Sequence, residues 1–287
     1  MRSSSDVIDT HEDSAGTEAE NKKHDHSRGR KALYIVGIGP GDAAYMTGRA
    51  KQAIEMADTI AGYTTYIDII RPLVAGKTII ATGMQKEVER VWQAIESANN
   101  GGVCTLVCSG DPGVYAMAGL VFELCMKNNV AAGSGRDELY IEVVPGVPAL
   151  CAGAALLGAP LMHDFASISL SDLLTPWDVI EKRIRAAADA DFVVAFYNPR
   201  STKRNWQLDA AKKILLDHRA KETPVGLVTA AMRGDQIIHL CTLETLDTGL
   251  VGMQTIVFVG NSSTFTHDGR MITPRGYENR YDLERQR

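Results

Sequence analysis

Short apolar runs rich in β-branched residues recur along the chain, separated by longer stretches with the spacing of amphipathic helices. The runs predict strands, because such residues suit a buried, pleated surface. In chain order they cover residues 33–38, 59–62, 78–82, 103–108, 140–144, 165–170, 192–197, 225–229, 237–240 and 255–259. The stretches between them predict helices over residues 43–57, 85–99, 114–128, 147–157, 177–188 and 203–219.

Strands that alternate with helices of about 10–15 residues are typical of a mostly parallel sheet covered on both faces. The pattern changes after Pro145, where a second series begins and the strands 225–229 and 237–240 follow each other across a short loop. That direct succession predicts an antiparallel pair. We therefore predict an α/β fold of two α/β domains with mixed or mostly parallel sheets, at residues 31–146 and 147–287.

The first 30 residues differ from the rest of the chain, because they are polar and contain few large apolar side chains. Such a segment buries too little apolar surface to offset its ordering entropy, so we predict a disordered tail over residues 1–30.

Composition narrows the function classes. The chain has 287 residues, 45% of them hydrophobic, and a net charge of −5, which gives no reason to expect nucleic-acid binding. No apolar run approaches the roughly 20 residues that cross a bilayer, and the polar N-terminus is unlike a secretory signal, so no membrane partner is expected. The five cysteines form no CxxC pair, which predicts reduced, buried thiols in a cytoplasmic protein and no metal site.

A glycine-rich loop, GIGPGD, follows the first predicted strand at residues 37–42. The dinucleotide fingerprint G-x-G-x-x-G would need a glycine at position 42, where Asp42 stands, and a carboxylate disfavours a pyrophosphate. Pro40 lacks the amide proton that a phosphate-binding loop would use. Phosphate binding is therefore disfavoured, and a plain strand–helix turn remains an alternative.

A second loop, SGDPGVY at residues 109–115, follows another strongly apolar strand and carries Asp111. A carboxylate at the end of a strand can accept hydrogen bonds from the hydroxyls or ammonium group of a ligand without phosphates. Capping of the following turn explains Asp111 equally well, so both interpretations stay open.

These two loops, together with VPGVPA at residues 144–149, resemble the tetrapyrrole methylase family, whose members use S-adenosylmethionine to methylate ring carbons of sirohaem and cobalamin precursors. Further motifs are similar to one branch, the C17-methyltransferases of cobalamin biosynthesis. They are HDF (163–165), SLSDLLTPW (169–177), AFYNPRS (195–201), TAAMRGDQ (229–236), VGNSST (259–264) and MITPRGY (271–277). The resemblance covers about residues 32–278 and excludes the tail.

The resemblance implies a homodimer of two-domain subunits with S-adenosylmethionine bound between the domains. Carried over motif by motif, it assigns cofactor binding to Pro40, Gly110, Asp111, Val114, Tyr115, Pro148, Ala149, Tyr197, Asn198, Ala230, Ala231 and Thr255. Pro148 departs from the pattern, because the family usually has a hydroxyl residue there, so the corresponding side-chain contact is in doubt.

The implied substrate is a tetrapyrrole with acetate and propionate groups, which arginine and lysine side chains bind well. The basic candidates lie in the second half, and they are Arg200, Lys203, Arg204, Arg233 and Arg275. For Lys203 and Arg204, a solvated helix start is the alternative interpretation.

Contraction of the tetrapyrrole ring needs proton transfer and carbonyl polarisation. Four residues with suitable groups are predicted to lie between the domains: His163, Asp164, Ser169 and Asp172. A structural role is the alternative for His163.

The resemblance thus implies a cytoplasmic, S-adenosylmethionine-dependent methyltransferase that methylates C17 of precorrin-3B, or its cobalt-bearing counterpart, with ring contraction. Three alternatives remain open. They are a tetrapyrrole methylase with another target carbon, a nucleotide-dependent oxidoreductase, and a module that holds a tetrapyrrole without chemistry.

Overall fold

The structure, a computed structural model, describes residues 31–135 and 137–284, so the predicted tail at residues 1–30 lies outside the described residues. The strands are β1 (Ala32–Gly37), β2 (Thr59–Tyr63), β3 (Thr78–Thr82), β4 (Val103–Cys108), β5 (Tyr140–Val144), β6 (Gly158–Ala159), β7 (Phe165–Ser169), β8 (Val193–Tyr197), β9 (Pro224–Thr229), β10 (Ile237–Thr242), β11 (Thr255–Val259), β12 (Phe265–His267) and β13 (Arg270–Ile272). The α-helices are α1 (Gly48–Met56), α2 (Thr64–Ile69), α3 (Glu87–Asn99), α4 (Ala118–Lys127), α5 (Ala149–Leu157), α6 (Trp177–Asp189) and α7 (Gln207–Leu216). Short 3₁₀ turns occupy Ala43–Tyr45, Arg71–Leu73, Thr248–Leu250 and Tyr277–Asn279.

The first sheet has five parallel strands in the order β3-β2-β4-β1-β5. Successive residues of a strand face opposite sides, and β1 is buried on both. Tyr34 and Val36 pack with α1 and α2 in one apolar cluster, whereas Leu33 and Ile35 pack with α3 and α4 in another. The predicted parallel sheet with two covered faces is confirmed.

The second sheet also has five strands, in the order β10-β9-β11-β8-β7, and it is mixed. Only β7 and β8 pair in parallel, while β10 with β9, β9 with β11 and β11 with β8 are antiparallel. The predicted antiparallel pair therefore forms. Helices α6 and α7 cover one face and α5 the other, so this sheet also separates two apolar clusters.

A third, three-stranded sheet in the order β12-β13-β6 was not predicted. Its strands are two or three residues long, too short for an alternating pattern to be visible in the sequence.

Three predicted helices begin at least four residues later than expected. The 43–57 helix is divided, because Met46 is extended and the Thr47 hydroxyl accepts a hydrogen bond from the Ala50 amide, which starts α1 anew. Helix α4 begins at Ala118 because Tyr115 has a left-handed φ of 52°, which a right-handed helix cannot include. Helix α7 starts at Gln207, after a turn in which the Ser201 amide donates to the Arg204 carbonyl oxygen at 2.8 Å and the Arg204 amide donates to the Ser201 hydroxyl at 3.1 Å.

The prediction of buried thiols is correct for three cysteines and wrong for one. Cys104, Cys108 and Cys125 are buried, Cys241 is half-buried, and Cys151 is exposed on α5. All five are free. No helix in the part of the chain described here is long and apolar enough to cross a membrane.

Candidate active site

Three glycine loops meet at the carboxyl ends of β4, β1 and β5, which are neighbours in the first sheet. Gly39 and Gly110 exchange backbone hydrogen bonds, from Gly110 N to Gly39 O at 2.7 Å and from Gly39 N to Gly110 O at 3.2 Å. A Cβ on Gly37 would lie 2.5 Å from Gly110 O and 2.7 Å from Gly146 N. Only glycine fits there, so part of the glycine pattern serves contact between the loops.

Asp111 joins the second loop to the third. Its Oδ1 accepts a hydrogen bond from the amide of Gly113 at 2.8 Å, and its Oδ2 accepts one from the amide of Gly146 at 3.0 Å. The first contact is the turn cap that the sequence left as an alternative. The second holds VPGVPA against SGDPGVY, so the carboxylate fixes the position of both loops.

A cavity of about 550 Å³ opens beside these loops, between the first and second sheets. All the residues predicted to bind the cofactor line it. They are Pro40, Gly110, Asp111, Val114, Tyr115, Pro148, Ala149, Tyr197, Asn198, Ala230, Ala231 and Thr255. This volume is within the range of about 300–1,000 Å³ typical of small-molecule sites.

The second sheet contributes the ends of β8 and β9 to the cavity wall. Asn198 and Ala230 stand directly after these strands with left-handed φ values of 50° and 49°. Tyr115, in the second glycine loop, has φ 52°. Non-glycine residues in this region are strained, and such strain concentrates at functional sites.

Two tyrosines of the cavity wall pack against each other. The ring centroids of Tyr115 and Tyr197 are 5.0 Å apart, and the Tyr115 hydroxyl donates to the carbonyl oxygen of Ser167 on β7 at 2.8 Å. The Tyr197 hydroxyl accepts the Leu150 amide proton at 2.8 Å, near the start of α5. Burial raises the pKa of Tyr197 to about 12, so the phenol stays neutral at ordinary pH.

The hydroxyl of Thr255 makes two hydrogen bonds within the wall of the cavity. Its Oγ1 lies 2.8 Å from Thr229 Oγ1 and accepts a hydrogen bond from the amide of Gly252 at 3.1 Å. These contacts fix the turn that leads into β11.

Arg233 is the one predicted substrate-binding residue that lines this cavity. Arg204 lies behind the wall, where it donates to the carbonyl oxygen of Asn198 at 2.9 Å, and burial lowers the pKa of its guanidinium. Arg200 donates to the carbonyl oxygen of Thr248 at 2.5 Å, while Lys203 and Arg275 are exposed.

The four predicted catalytic residues do not line the cavity. His163 and Asp164 are exposed and lie beside each other, with 3.5 Å between His163 Nδ1 and Asp164 Oδ2. Asp172 Oδ2 accepts a hydrogen bond from Gln207 at 2.9 Å. Ser169 is nearest, because its Oγ accepts from the side-chain amide of Asn198 at 3.0 Å.

The sequence analysis missed one end of the cavity, lined by Tyr63, Tyr66 and Arg90. A signal for Arg90 was present, because it falls beside Val91 and Ala94 on the apolar stripe of α3, where a charge is unexpected. Within the described residues, no group of three or more His, Cys, Asp or Glu side chains could hold a metal ion.

Comparison with known proteins identifies the family. The sequence profile of the tetrapyrrole (corrin/porphyrin) methylases matches residues 32–247. The chain is 48% identical to the cobalt-factor III methyltransferase of Priestia megaterium, over 88% of this chain and 46% of that protein. It is also 48% identical to the probable cobalt-factor III C(17)-methyltransferase of Salmonella typhimurium, over 85% of this chain and 99% of that protein. The chain thus spans about half of the Priestia relative and nearly all of the Salmonella one.

Among solved structures, the methyltransferase CobJ matches with a TM-score of 0.79 and 36% identity, over 84% of this chain and 99% of that one. The profile match and the relatives at 48% identity both cover most of the chain. This chain therefore belongs to the tetrapyrrole methylase family.

Proposed function

We propose that this chain is an S-adenosylmethionine-dependent methyltransferase of cobalamin biosynthesis that methylates C17 of cobalt-factor III, with contraction of the ring. The observation that carries the cofactor assignment is that twelve residues from six separate segments line one cavity. The choice of substrate and carbon rests on the names of the relatives in Priestia and Salmonella. Precorrin-3B, the form without cobalt, is the alternative substrate.

The residues around the cavity suit this cofactor. Bare glycine backbone and the small side chains of Ala149, Ala230 and Ala231 leave room for it, and the carboxylate of Asp111 in the cavity wall would suit a cofactor with ammonium and sulfonium charges. Pro40 contributes no amide donor, which agrees with a ligand that lacks phosphates.

S-adenosylmethionine, when bound, supplies a methyl group on a positively charged sulfur. Methyl transfer from such a group needs mainly alignment of the carbon nucleophile at near-attack distance. In our proposal the glycine loops and Asp111 fix the cofactor's position, the packed rings of Tyr115 and Tyr197 form part of the wall, and Arg233 binds a substrate carboxylate.

For the proton transfer of the ring contraction we propose Ser169, because its hydroxyl contacts Asn198 of the cavity wall. Asp172 acts with Gln207 behind that wall, and we assign no step to the exposed pair His163 and Asp164.

We further propose the domains 31–146 and 147–287, since each range contains one five-stranded sheet.

We propose that the protein is a cytoplasmic homodimer. The five free cysteines support the cytoplasmic location, because the cytoplasm keeps thiols reduced. The dimer is supported by Leu173 and Leu174 in the branch motif SLSDLLTPW, whose side chains are 74% and 97% exposed in the single subunit. A second subunit would cover these apolar side chains.

The cofactor assignment is tested by calorimetric titration with S-adenosylhomocysteine and, separately, with NAD. Ala149→Leu fills the cavity, while Ala155→Leu adds the same bulk on the exposed side of helix α5. We expect Ala149→Leu to weaken S-adenosylhomocysteine binding at least about 10-fold, and Ala155→Leu to change it by less than about twofold. Binding of NAD in place of S-adenosylhomocysteine would favour the oxidoreductase alternative.

A further inference from the structure

The end of the cavity that the sequence did not predict holds a buried cation. Arg90 is 3% exposed and lines the cavity. Its hydrogen-bond partners are all neutral: the Thr82 hydroxyl at 2.7 Å, the Gly83 carbonyl at 2.8 Å and the Met117 sulfur at 3.4 Å. Among the described residues no carboxylate lies within 4.0 Å of its guanidinium, although the exposed Glu87 lines the same cavity. A guanidinium keeps its charge when buried, so this one lacks a counter-charge.

A second arginine lies at the same end. Arg233 donates through Nε to the Pro40 carbonyl at 2.7 Å and through Nη2 to the Ser109 hydroxyl at 3.4 Å. These acceptors are also neutral, and the described residues supply no carboxylate partner for Arg233. Two positive charges therefore face one cavity end without acidic partners.

Two tyrosines complete this end. The rings of Tyr63 and Tyr66 meet edge to face with centroids 5.2 Å apart, and the Arg90 guanidinium lies 5.8 Å from the Tyr63 centroid. Neither tyrosine hydroxyl bonds a residue in the described ranges, and both side chains line the cavity. Burial raises the pKa of Tyr66, and the charges of Arg233 and Arg90 oppose that rise, in agreement with their place in the same cavity. Tyr66 remains a neutral hydroxyl donor.

The geometry points to a carboxylate-binding subsite, formed by Tyr63, Tyr66, Arg90 and Arg233, that fixes the orientation of the tetrapyrrole by one of its acetate or propionate groups. We call it the basic arm. The inference rests on the proposed function for the nature of the substrate. A carboxylate would give the two guanidinium groups the counter-charge they lack, and charge-assisted hydrogen bonds from Arg are the strongest kind.

A substrate carboxylate suits the basic arm better than the carboxylate of the cofactor. The cofactor's transferable methyl group sits on a cationic sulfur, and two unpaired arginines nearby would disfavour it by like-charge repulsion. The proposed substrate carries several carboxylates. The basic arm is therefore a positioning site for the substrate, contributed mostly by the first half of the chain.

The test compares two ligands on the same variants. Binding of uroporphyrin III, a porphyrin with eight carboxylates used here as the probe, is followed by fluorescence quenching, and S-adenosylhomocysteine binding by calorimetry. The variants are Arg90→Gln, Arg233→Gln and Tyr66→Phe, and the control is Arg71→Gln, an arginine with 73% side-chain exposure. We expect Arg90→Gln and Arg233→Gln each to raise the Kd for the porphyrin at least about 10-fold, and to change that for S-adenosylhomocysteine by less than about twofold.

The other outcomes are decisive. Weakened S-adenosylhomocysteine binding with unchanged porphyrin binding would assign the arm to the cofactor and overturn the proposal, as would unchanged binding of both ligands. If Arg90→Gln does not fold, as judged by circular dichroism, Arg233→Gln and Tyr66→Phe decide in its place. If the wild type binds porphyrin but neither binds S-adenosylhomocysteine nor transfers methyl groups, the proposed function fails while the basic arm stands.

Discussion

The side chain of Arg233 lies across the first glycine loop, with its Nε 2.7 Å from the carbonyl oxygen of Pro40, a residue 193 positions earlier in the chain. The contact connects the loop after β1 with the loop between β9 and β10. It also explains Gly41, because a Cβ there would lie 2.5 Å from Cγ of Arg233. A glycine in the first half of the chain is thus required by an arginine in the second.

Replacement of Gly41 by alanine is expected to displace Arg233 and with it the wall of the cavity at Pro40. We predict that Gly41→Ala weakens binding of uroporphyrin III at least about fivefold, because overpacking of this kind costs about 1–3 kcal/mol and moves Arg233 out of the basic arm. Gly48→Ala is the control, since a Cβ at Gly48 meets nothing within 4 Å. Fluorescence quenching measures porphyrin binding by both variants, and equal affinities would show that the contact between Arg233 and the loop does not shape the substrate site.

Close packing of the three glycine loops should contribute to the free energy of unfolding of the protein. A Cβ on Gly146 would meet the carbonyl oxygen of Gly110 and lie 2.7 Å from that of Gly37, and backbone cannot move aside as a flexible side chain can. We expect Gly146→Ala to lower the free energy of unfolding by about 1–3 kcal/mol or more in urea denaturation. Gly83→Ala, where a Cβ meets nothing within 4 Å, should be close to neutral.

Removal of the Tyr197 hydroxyl should leave the Leu150 amide near the start of α5 without its partner. We predict that Tyr197→Phe lowers the free energy of unfolding by about 1–2 kcal/mol, the cost of an unsatisfied, partly buried donor. Tyr45→Phe is the matched control, because Tyr45 is 42% exposed. A Tyr197 variant as stable as the wild type would mean that water replaces the phenol at no cost.

The buried thiols predict how stability depends on pH. Burial raises the pKa of Cys104 and of Cys108 from 9.0 to about 12. Between these values the unfolded chain releases the proton while the folded chain keeps it, so stability is constant below about pH 9 and falls as the pH rises towards 12. Each thiol contributes at most about 1.4 kcal/mol per pH unit to this fall.

Urea denaturation at about pH 8 and about pH 10.5, under reducing conditions, measures this loss. Cys104→Ala should lose less stability between the two pH values than the wild type. Val107→Ala removes a comparable buried group without a thiol and should lose as much as the wild type. An identical loss in all three proteins would contradict the assignment to Cys104.

Much of the first sheet could be predicted because its signals are local. The continuous apolar run of β1 and the spacing of Val91, Ala94, Ile95 and Ala98 on α3 reflect burial against both faces of one sheet. The helix α2 and the third sheet were missed, since Thr64–Ile69 is a single short helix and β6, β12 and β13 have two or three residues each. Their existence depends on tertiary contacts.

The cofactor-binding residues of the site could be predicted from the sequence, whereas the basic arm could not. The residues along the glycine loops, after β8 and β9 and at the start of β11 were assigned by resemblance to the family, and the structure brings them to one cavity. The basic arm was not predicted, because Arg90 is recruited from a helix whose sequence shows only an amphipathic pattern. Whether such an arginine faces a cavity depends on packing between distant segments, here on Thr82 and Met117.

The central claim, C17 methylation, is tested most directly by incubating the full chain with S-adenosylmethionine and cobalt-factor III, and in parallel with precorrin-3B. Product mass, absorbance and the position of the new methyl group by NMR are followed. We predict one added methyl group at C17, the spectrum of a contracted ring, and faster turnover of the cobalt form. A methyl group at another ring carbon, or no transfer by a folded protein that binds S-adenosylhomocysteine, would contradict the account.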